Sequence, residues 1–112
     1  MKIKTTAKAL REGSANLKYA SYCGLQFLLR NHTPIAYTSG VYGWNFDVYE
    51  VYGVTICTGY RGMPGKRLEG IAEAEEKASK IWQNRNKDMT FEQQCEAVEE
   101  LLHNFCKANG GY

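Results

Sequence analysis

Residues 44–58 read WNFDVYEVYGVTICT, and this stretch is the strongest indication of the fold class. Apolar and polar residues alternate on both sides of Tyr52-Gly53, which is the pattern of two half-buried strands joined by a tight turn. β-Branched and aromatic residues dominate both strands, as a pleated surface favours. With a preceding strand over residues 35–39, the strands over 44–52 and 54–60 form a predicted β-meander.

Strand alternation also separates the predicted core from a predicted contact surface. The inward-facing apolar set is predicted to be Phe46, Val48, Val54 and Ile56. The opposite face of the second strand is predicted to be a contact surface containing Asn45, Asp47 and Tyr49. Polar and tyrosine side chains on an exposed sheet face suit a ligand or a second subunit.

After the meander the hydrophobic period changes from 2 to 3.6, which predicts helices. The first has an apolar stripe made of Leu68, Ile71, Ala74, Ala78, Ile81 and Trp82. A polar break at residues 84–88 ends it, and Thr90 with Gln93 then predicts a capping box for a second helix. Because the connection is short, the two helices are predicted to be antiparallel.

Ahead of the meander, the patterns predict a strand over residues 16–22 and short helices over 5–13 and 23–30. The length of 112 residues fits one domain. The sequence therefore predicts a single α+β domain over residues 1–112, with a small antiparallel β-sheet (meander) and a C-terminal antiparallel helical hairpin packed on one face. Residues 1–67 are its strand-rich part and residues 68–108 its hairpin.

Charge is unevenly distributed along the chain. Residues 1–67 carry nine basic and three acidic side chains, a formal charge of +6, whereas residues 68–112 carry five basic and nine acidic ones, a charge of −4. A basic front half permits an anionic ligand, and the asymmetry equally permits head-to-tail self-association into a homo-oligomer. Four cysteines without a Cys-x-x-Cys pair, and a polar start without a signal sequence, predict a cytoplasmic protein with free thiols and no membrane span.

A basic, glycine-rich run follows the meander. Residues 59–67 read GYRGMPGKR, between a predicted strand and a predicted helix. Backbone N–H groups, a helix N-terminus and positive side chains together can hold a phosphate, which makes Tyr60, Arg61, Lys66 and Arg67 candidate ligand-binding residues. The spacing is not that of a Walker loop, because Arg67 stands where the hydroxyl residue should be. The alternative is a flexible basic linker.

Residues 40–49 read GVYGWNFDVY and form the second candidate. Tyr42 or Trp44 would stack on a nucleobase, while Asn45 and Asp47 would bond to its edge and Tyr49 would add contact surface. The alternative is a sheet whose aromatic residues pack under the helices.

Signals for catalysis are weak. His32 and His103 are the only histidines, and His103 with Cys106 supplies too few ligands for a zinc site. His32 precedes Thr33-Pro34 and is expected to stabilise a turn. No nucleophile elbow or paired-carboxylate motif occurs, so we expect no enzyme activity, no metal and no cofactor.

Five motifs carry a resemblance to a known family. They are YCGLQ (22–26), PIAY (34–37), GVYGWN (40–45), DVY (47–49) and TGYR (58–61). Over residues 3–67 the chain resembles a small domain family of phages and mobile elements from Firmicutes and gut bacteria. The resemblance implies a phage protein that counters host defence from the cytoplasm of the infected bacterium. It implies no catalytic residues.

Three functions remain open at this point. The leading one is a non-enzymatic nucleotide sponge, which sequesters a small phosphorylated, cyclic nucleotide used as an immune signal. The alternative is an anti-CRISPR-like inhibitor that contacts a host defence protein directly through its tyrosine-rich face. A nucleic-acid-binding module is the weakest, because a net charge of +2 gives little affinity for DNA at physiological salt.

Overall fold

The computed structural model describes residues 3–5, 16–21, 23–41, 44–58, 66–83 and 88–112, and at 3–5, 38–41 and 44–46 it describes the backbone. Within these ranges the chain forms six strands: β1 (Ile3–Thr5), β2 (Leu17–Ala20), β3 (Ala36–Val41), β4 (Trp44–Val51), β5 (Val54–Thr58) and β6 (Lys66–Arg67). Two α-helices follow, α1 (Ile71–Gln83) and α2 (Phe91–Ala108).

All six strands belong to one sheet, in the order β1-β3-β4-β5-β2-β6. The central strands β3, β4 and β5 pair antiparallel, so the predicted meander is confirmed, as are the α+β class and the C-terminal helices. Parallel pairs extend the meander on both sides, because β1 pairs with β3, and β2 pairs with β5 and β6. The sheet is therefore wider than the meander, and it is mixed at its flanks.

The turn between β4 and β5 determines which side chains share a face. Tyr52 and Gly53 both have positive φ, 48° and 81°, as in the two-residue hairpin turns that match strand twist. This turn pairs Val51 with Val54 and Tyr49 with Ile56. Because paired residues point to the same side, Tyr49 lies on the face that carries Ile56.

The prediction that Val48 and Ile56 share the inward face is therefore wrong. Val48 pairs with Cys57 and belongs to a smaller cluster with Leu17 on the other face of the sheet. The prediction that Tyr49 faces away from the helices is wrong for the same reason, since Tyr49 packs against the helix-side core. The side chain of Phe46 lies outside the described residues.

The larger core lies between the sheet and the helical hairpin. Its most deeply buried members come from both layers and from the chain that precedes β3: Leu28, Val54, Ile56, Ala78, Leu102 and Cys106. The predicted packing of the hairpin on one face of the sheet is thus confirmed. Burial of these side chains removes them from water, which is the main force that holds the two layers together.

Hydrogen bonds fix the ends of the two helices. Thr90 and Gln93 form the predicted capping box, with the Gln93 N–H donating to the Thr90 hydroxyl over 3.1 Å and the Thr90 N–H donating to the Gln93 side chain over 2.9 Å. At the other end Asn109 is buried, and its side chain exchanges hydrogen bonds with the backbone N–H (2.9 Å) and C=O (3.2 Å) of Glu69. This clamp joins the end of α2 to the start of α1.

The helix predicted over residues 23–30 is reduced to a 3-10 helix at Cys23–Leu25, followed by turns. The Glu75 carboxylate on α1 accepts hydrogen bonds from the backbone N–H groups of Phe27 (2.6 Å) and Leu28 (2.9 Å). An α-helix would direct these groups to carbonyls four residues earlier, so the bonds to Glu75 replace the helix. The helix predicted at 5–13 lies outside the described residues beyond Thr5.

Candidate functional site

A cavity of about 220 Å³ lies between the sheet and the chain that precedes β3. One side is formed by residues 25–32, which we call the wall segment. The other side is formed by Tyr49 on β4 and by Thr58 at the end of β5. The lining residues are Leu25, Gln26, Leu29, Arg30, His32, Tyr49 and Thr58. This combination of apolar surface with a few polar and charged groups is typical of small-molecule sites.

The wall segment is attached to α1 by two side chains. The bonds from Phe27 and Leu28 to Glu75 are charge-assisted, and the Trp82 indole N–H donates to the Phe27 carbonyl over 2.9 Å. Burial raises the pKa of Glu75, although the backbone N–H groups oppose that shift. The wall of the cavity is therefore held in place before any ligand arrives, which lowers the entropic cost of binding.

Arg30 supplies the positive charge of the cavity. Its guanidinium carbon lies 5.0 Å from the centroid of the Trp82 ring, a cation–π contact. The side chain is exposed at the cavity mouth, so its donors remain accessible to an anion. Stacking on Trp82 orients the planar guanidinium and reduces the conformational freedom that it loses on binding.

His32 connects the cavity to α2 through Glu99. Its Nε2 atom lies 2.9 Å and 3.2 Å from the two carboxylate oxygens of Glu99, which also accepts a short hydrogen bond from the Tyr52 hydroxyl. Burial opposes ionisation of Glu99, but the bonds from Tyr52 and His32 outweigh it and lower the pKa of Glu99. The same bond raises the pKa of Tyr52 to about 12.

The second histidine, His103, contacts the same tyrosine, Tyr52. The His103 ring stacks on Tyr52 with centroids 4.3 Å apart, and its Nε2 atom donates to the Tyr112 carbonyl over 2.9 Å. Both histidines of the chain, separated by 71 positions in sequence, thus meet around Tyr52 and Glu99. We call His32, Tyr52, Glu99 and His103 the histidine cluster.

The structure brings only part of the predicted site together. Tyr49 lines the cavity, and the Asp47 N–H two residues earlier donates to the hydroxyl of the lining residue Thr58 over 2.9 Å. Trp44 and Asn45 begin β4, and their side chains lie outside the described residues. Tyr42, Tyr60 and Arg61 also lie outside them.

Lys66 and Arg67 are exposed on the edge strand β6. Arg67 pairs with Tyr19, which pairs with Cys57, so Arg67 stands two strands from the end of β5. At the usual strand spacing this separation is ~10 Å between Cα atoms. These two cations flank the cavity region instead of lining it.

Sequence reasoning missed Arg30, His32 and Glu99. Glu99 is one of several acidic residues in the second predicted helix, and His32 is expected only to stabilise a turn. Their contact spans 67 positions, and no local pattern encodes it. The sequence contains only a weak indication of this contact. Neither histidine and few of the acidic residues are needed to explain a predicted helix, strand or cap.

No group of three or more His, Cys, Asp or Glu side chains in the described ranges is placed to hold a metal ion. All four cysteines are free, with Cys57 and Cys106 buried. Among the described helices, none combines the length and apolar character needed to span a membrane.

Comparison with protein-family models, with curated proteins and with solved structures gave no match. The resemblance to a phage domain family therefore stays a prediction from sequence motifs. The cavity and its lining are the features of the structure that bear on function.

Proposed function

We propose that this chain is a non-enzymatic binding protein that captures a small phosphorylated nucleotide in the cavity under the wall segment. The observation that carries the proposal is the shared lining of Tyr49, Arg30 and His32, an aromatic ring beside a guanidinium and an imidazole. A nucleotide needs these two kinds of group, one for its base and one for its phosphate.

The base would lie against the apolar part of the lining. Tyr49 contributes an aromatic side chain to this lining, and Leu25 and Leu29 contribute aliphatic surface. The Gln26 amide carries both donors and an acceptor, so it can pair with the edge of a base. A cavity of about 220 Å³ is below the ~300–1,000 Å³ of pockets for larger ligands, so it suits one base and not an entire dinucleotide.

The phosphate would lie at the mouth, where Arg30 provides donors and His32 adds one when its imidazole is protonated. Arg61 follows the lining residue Thr58 by only three positions in sequence, and Lys66 and Arg67 add positive charge at the sheet edge. These residues form the predicted basic run. Together they favour an anion that extends beyond the cavity, such as the remainder of a cyclic dinucleotide.

Sequestration is favoured over catalysis by the hydrogen bonds of His32, the candidate general base. His32 and Glu99 form the base-and-carboxylate pair that many hydrolases use. Within the described ranges, however, no Ser, Thr or Cys side chain is hydrogen-bonded to His32. The phage-defence context implied by the sequence motifs is consistent with a protein that binds and withholds a signal.

Titration calorimetry tests this proposal with a panel of mononucleotides, cyclic dinucleotides and cyclised ADP-ribose. Removing the charge by Arg30→Gln should weaken binding by ~10–100-fold, because a charge-assisted hydrogen bond contributes ~1.5–3 kcal/mol. Lys107→Gln is the matched control, since it removes one positive charge at an exposed position on α2 outside the cavity lining. Absence of binding across the panel, or equal losses in both variants, would contradict the proposal.

A second candidate function, direct inhibition of a defence protein, is favoured by one observation. Phe91 is 68% exposed, and its ring centroid lies 6.1 Å from that of Trp82, on which Arg30 stacks. Tryptophan, arginine and exposed aromatic residues are frequent at the centres of protein interfaces. A pull-down against defence effectors with wild type and Phe91→Ala distinguishes the two, because a nucleotide sponge should retrieve no protein.

A further inference from the structure

The His32–Glu99 pair determines which nitrogen of His32 a ligand can use. A carboxylate only accepts hydrogen bonds, and both Glu99 oxygens lie within 3.2 Å of the His32 Nε2 atom. Nε2 must therefore carry a hydrogen. In a neutral imidazole this leaves Nδ1 without a proton, so Nδ1 is an acceptor.

The surroundings of Glu99 strengthen this assignment. The Tyr52 hydroxyl donates to the same carboxylate, so Glu99 remains ionised and cannot donate to His32 at neutral pH. Among the described residues, none forms a hydrogen bond with the Nδ1 atom of His32. Since His32 also lines the cavity, Nδ1 is the nitrogen that remains for a bound molecule.

We propose that Glu99 is a positioning residue that fixes the Nε2–H form of His32, so that protonation converts Nδ1 from an acceptor into a donor for the ligand's phosphate. This inference rests on the proposed function. Neutral His32 faces a phosphate oxygen with a lone pair and repels it, whereas protonated His32 adds a charge-assisted hydrogen bond. Nucleotide affinity should therefore increase as the pH falls.

A test of this proposal must distinguish the effect of His32 from the effects of the other titratable groups around it. They are Arg30 on the wall segment, Tyr49 on β4, Tyr52 in the turn between β4 and β5, Glu75 on α1, and Glu99, His103 and Cys106 on α2. Of these, His103 is the other imidazole of the histidine cluster, and it is not one of the residues that line the cavity. His103→Gln is therefore the matched control for His32→Gln.

The first arm of the test needs no ligand. Long-range ¹H–¹⁵N correlation spectra of ¹⁵N-histidine-labelled protein report which ring nitrogen carries the proton. We expect the Nε2–H form for His32 in the wild type and in Glu99→Asp, and a loss of that preference in Glu99→Gln. A wild-type His32 with its proton on Nδ1 would overturn the inference.

The second arm measures the affinity for adenosine 3′,5′-cyclic monophosphate between about pH 5.5 and 8.5, where a phosphodiester keeps one negative charge and histidine titrates. We expect the wild type and His103→Gln to bind about tenfold more tightly at the acidic end, because one charge-assisted hydrogen bond is added. His32→Gln should show a flat profile.

The two arms separate the inference from the proposed function. Binding with a flat wild-type profile, or with a slope that persists in His32→Gln, rejects the role of Glu99 and His32 and leaves the nucleotide site intact. No binding of this probe at any pH, together with no binding across the calorimetric panel, rejects the proposed function and the inference with it.

Discussion

Substitution of Gly111 by alanine should destabilise the fold strongly, because its surroundings leave no room for a side chain. A Cβ atom at this position would meet the Tyr52 carbonyl oxygen, the Cys106 carbonyl oxygen at 2.8 Å and the Val54 Cγ2 atom at 2.9 Å. Two of these neighbours are backbone atoms, which cannot rotate away. Over-packing of this kind costs ~1–3 kcal/mol.

Relief of the clash requires the C-terminal turn to move. That movement stretches two backbone hydrogen bonds, from the Gly111 N–H to Cys106 (2.7 Å) and from the Tyr112 N–H to Tyr52 (2.9 Å). Each bond contributes ~1 kcal/mol, so the expected total loss is ~3–5 kcal/mol. A loss of this size is a large fraction of the ~5–15 kcal/mol that stabilises a typical domain.

Gly70→Ala is the matched control for this prediction. Gly70 has φ +72°, but no heavy atom lies within 4 Å of the position that an alanine Cβ would take, so only backbone strain of ~1–2 kcal/mol applies. Urea denaturation followed by tryptophan fluorescence gives both free energies of unfolding. Equal losses in the two variants, or a smaller loss for Gly111→Ala, would refute the packing described around the β4–β5 turn.

Three further predictions follow from single contacts. Thr90→Ala removes the capping-box acceptor and should lower the free energy of unfolding by ~1 kcal/mol in urea denaturation, and an unchanged midpoint would contradict the cap. Because the folded state lowers the pKa of Glu99, its contribution to stability is present above the unfolded pKa and is lost as the pH falls through the folded value. Wild type should therefore lose stability on acidification more steeply than Glu99→Gln, and parallel pH profiles would argue against the pair with His32. With a thiol reagent, exposed Cys23 should react at once, whereas Cys57, whose pKa burial raises to about 12, should react only on unfolding; equal rates would contradict the burial.

The sequence predicted those features of the fold that depend on residues close to one another in the chain. The Tyr52-Gly53 turn, the alternation around it and the Thr90 capping box depend on residues close in sequence. The same turn also encodes the faces of the strands, since a two-residue connection must pair Val51 with Val54. That register, applied to the sequence, places Tyr49 on the helix side.

The remaining features depend on contacts between distant residues. Nothing near His32 indicates a partner on the last helix, and Arg30 gains its role only because α1 brings Trp82 beneath it. The parallel pairing of β2 with β5 likewise joins segments 38 positions apart. Of the predicted site, Tyr49 lies in the cavity, whereas its basic neighbours Arg30 and His32 came from the structure alone.

Chemical-shift mapping shows directly whether a nucleotide binds in the cavity. A ¹⁵N-labelled sample titrated with adenosine monophosphate, cyclic di-adenosine monophosphate and cyclised ADP-ribose reports where a nucleotide binds. For at least one of these probes, the proposed nucleotide site predicts saturable shifts concentrated at Gln26, Arg30, His32, Tyr49 and Thr58, which line the cavity, and their loss in the Arg30→Gln variant. Shifts confined to another surface, or none with any of the probes, would contradict it.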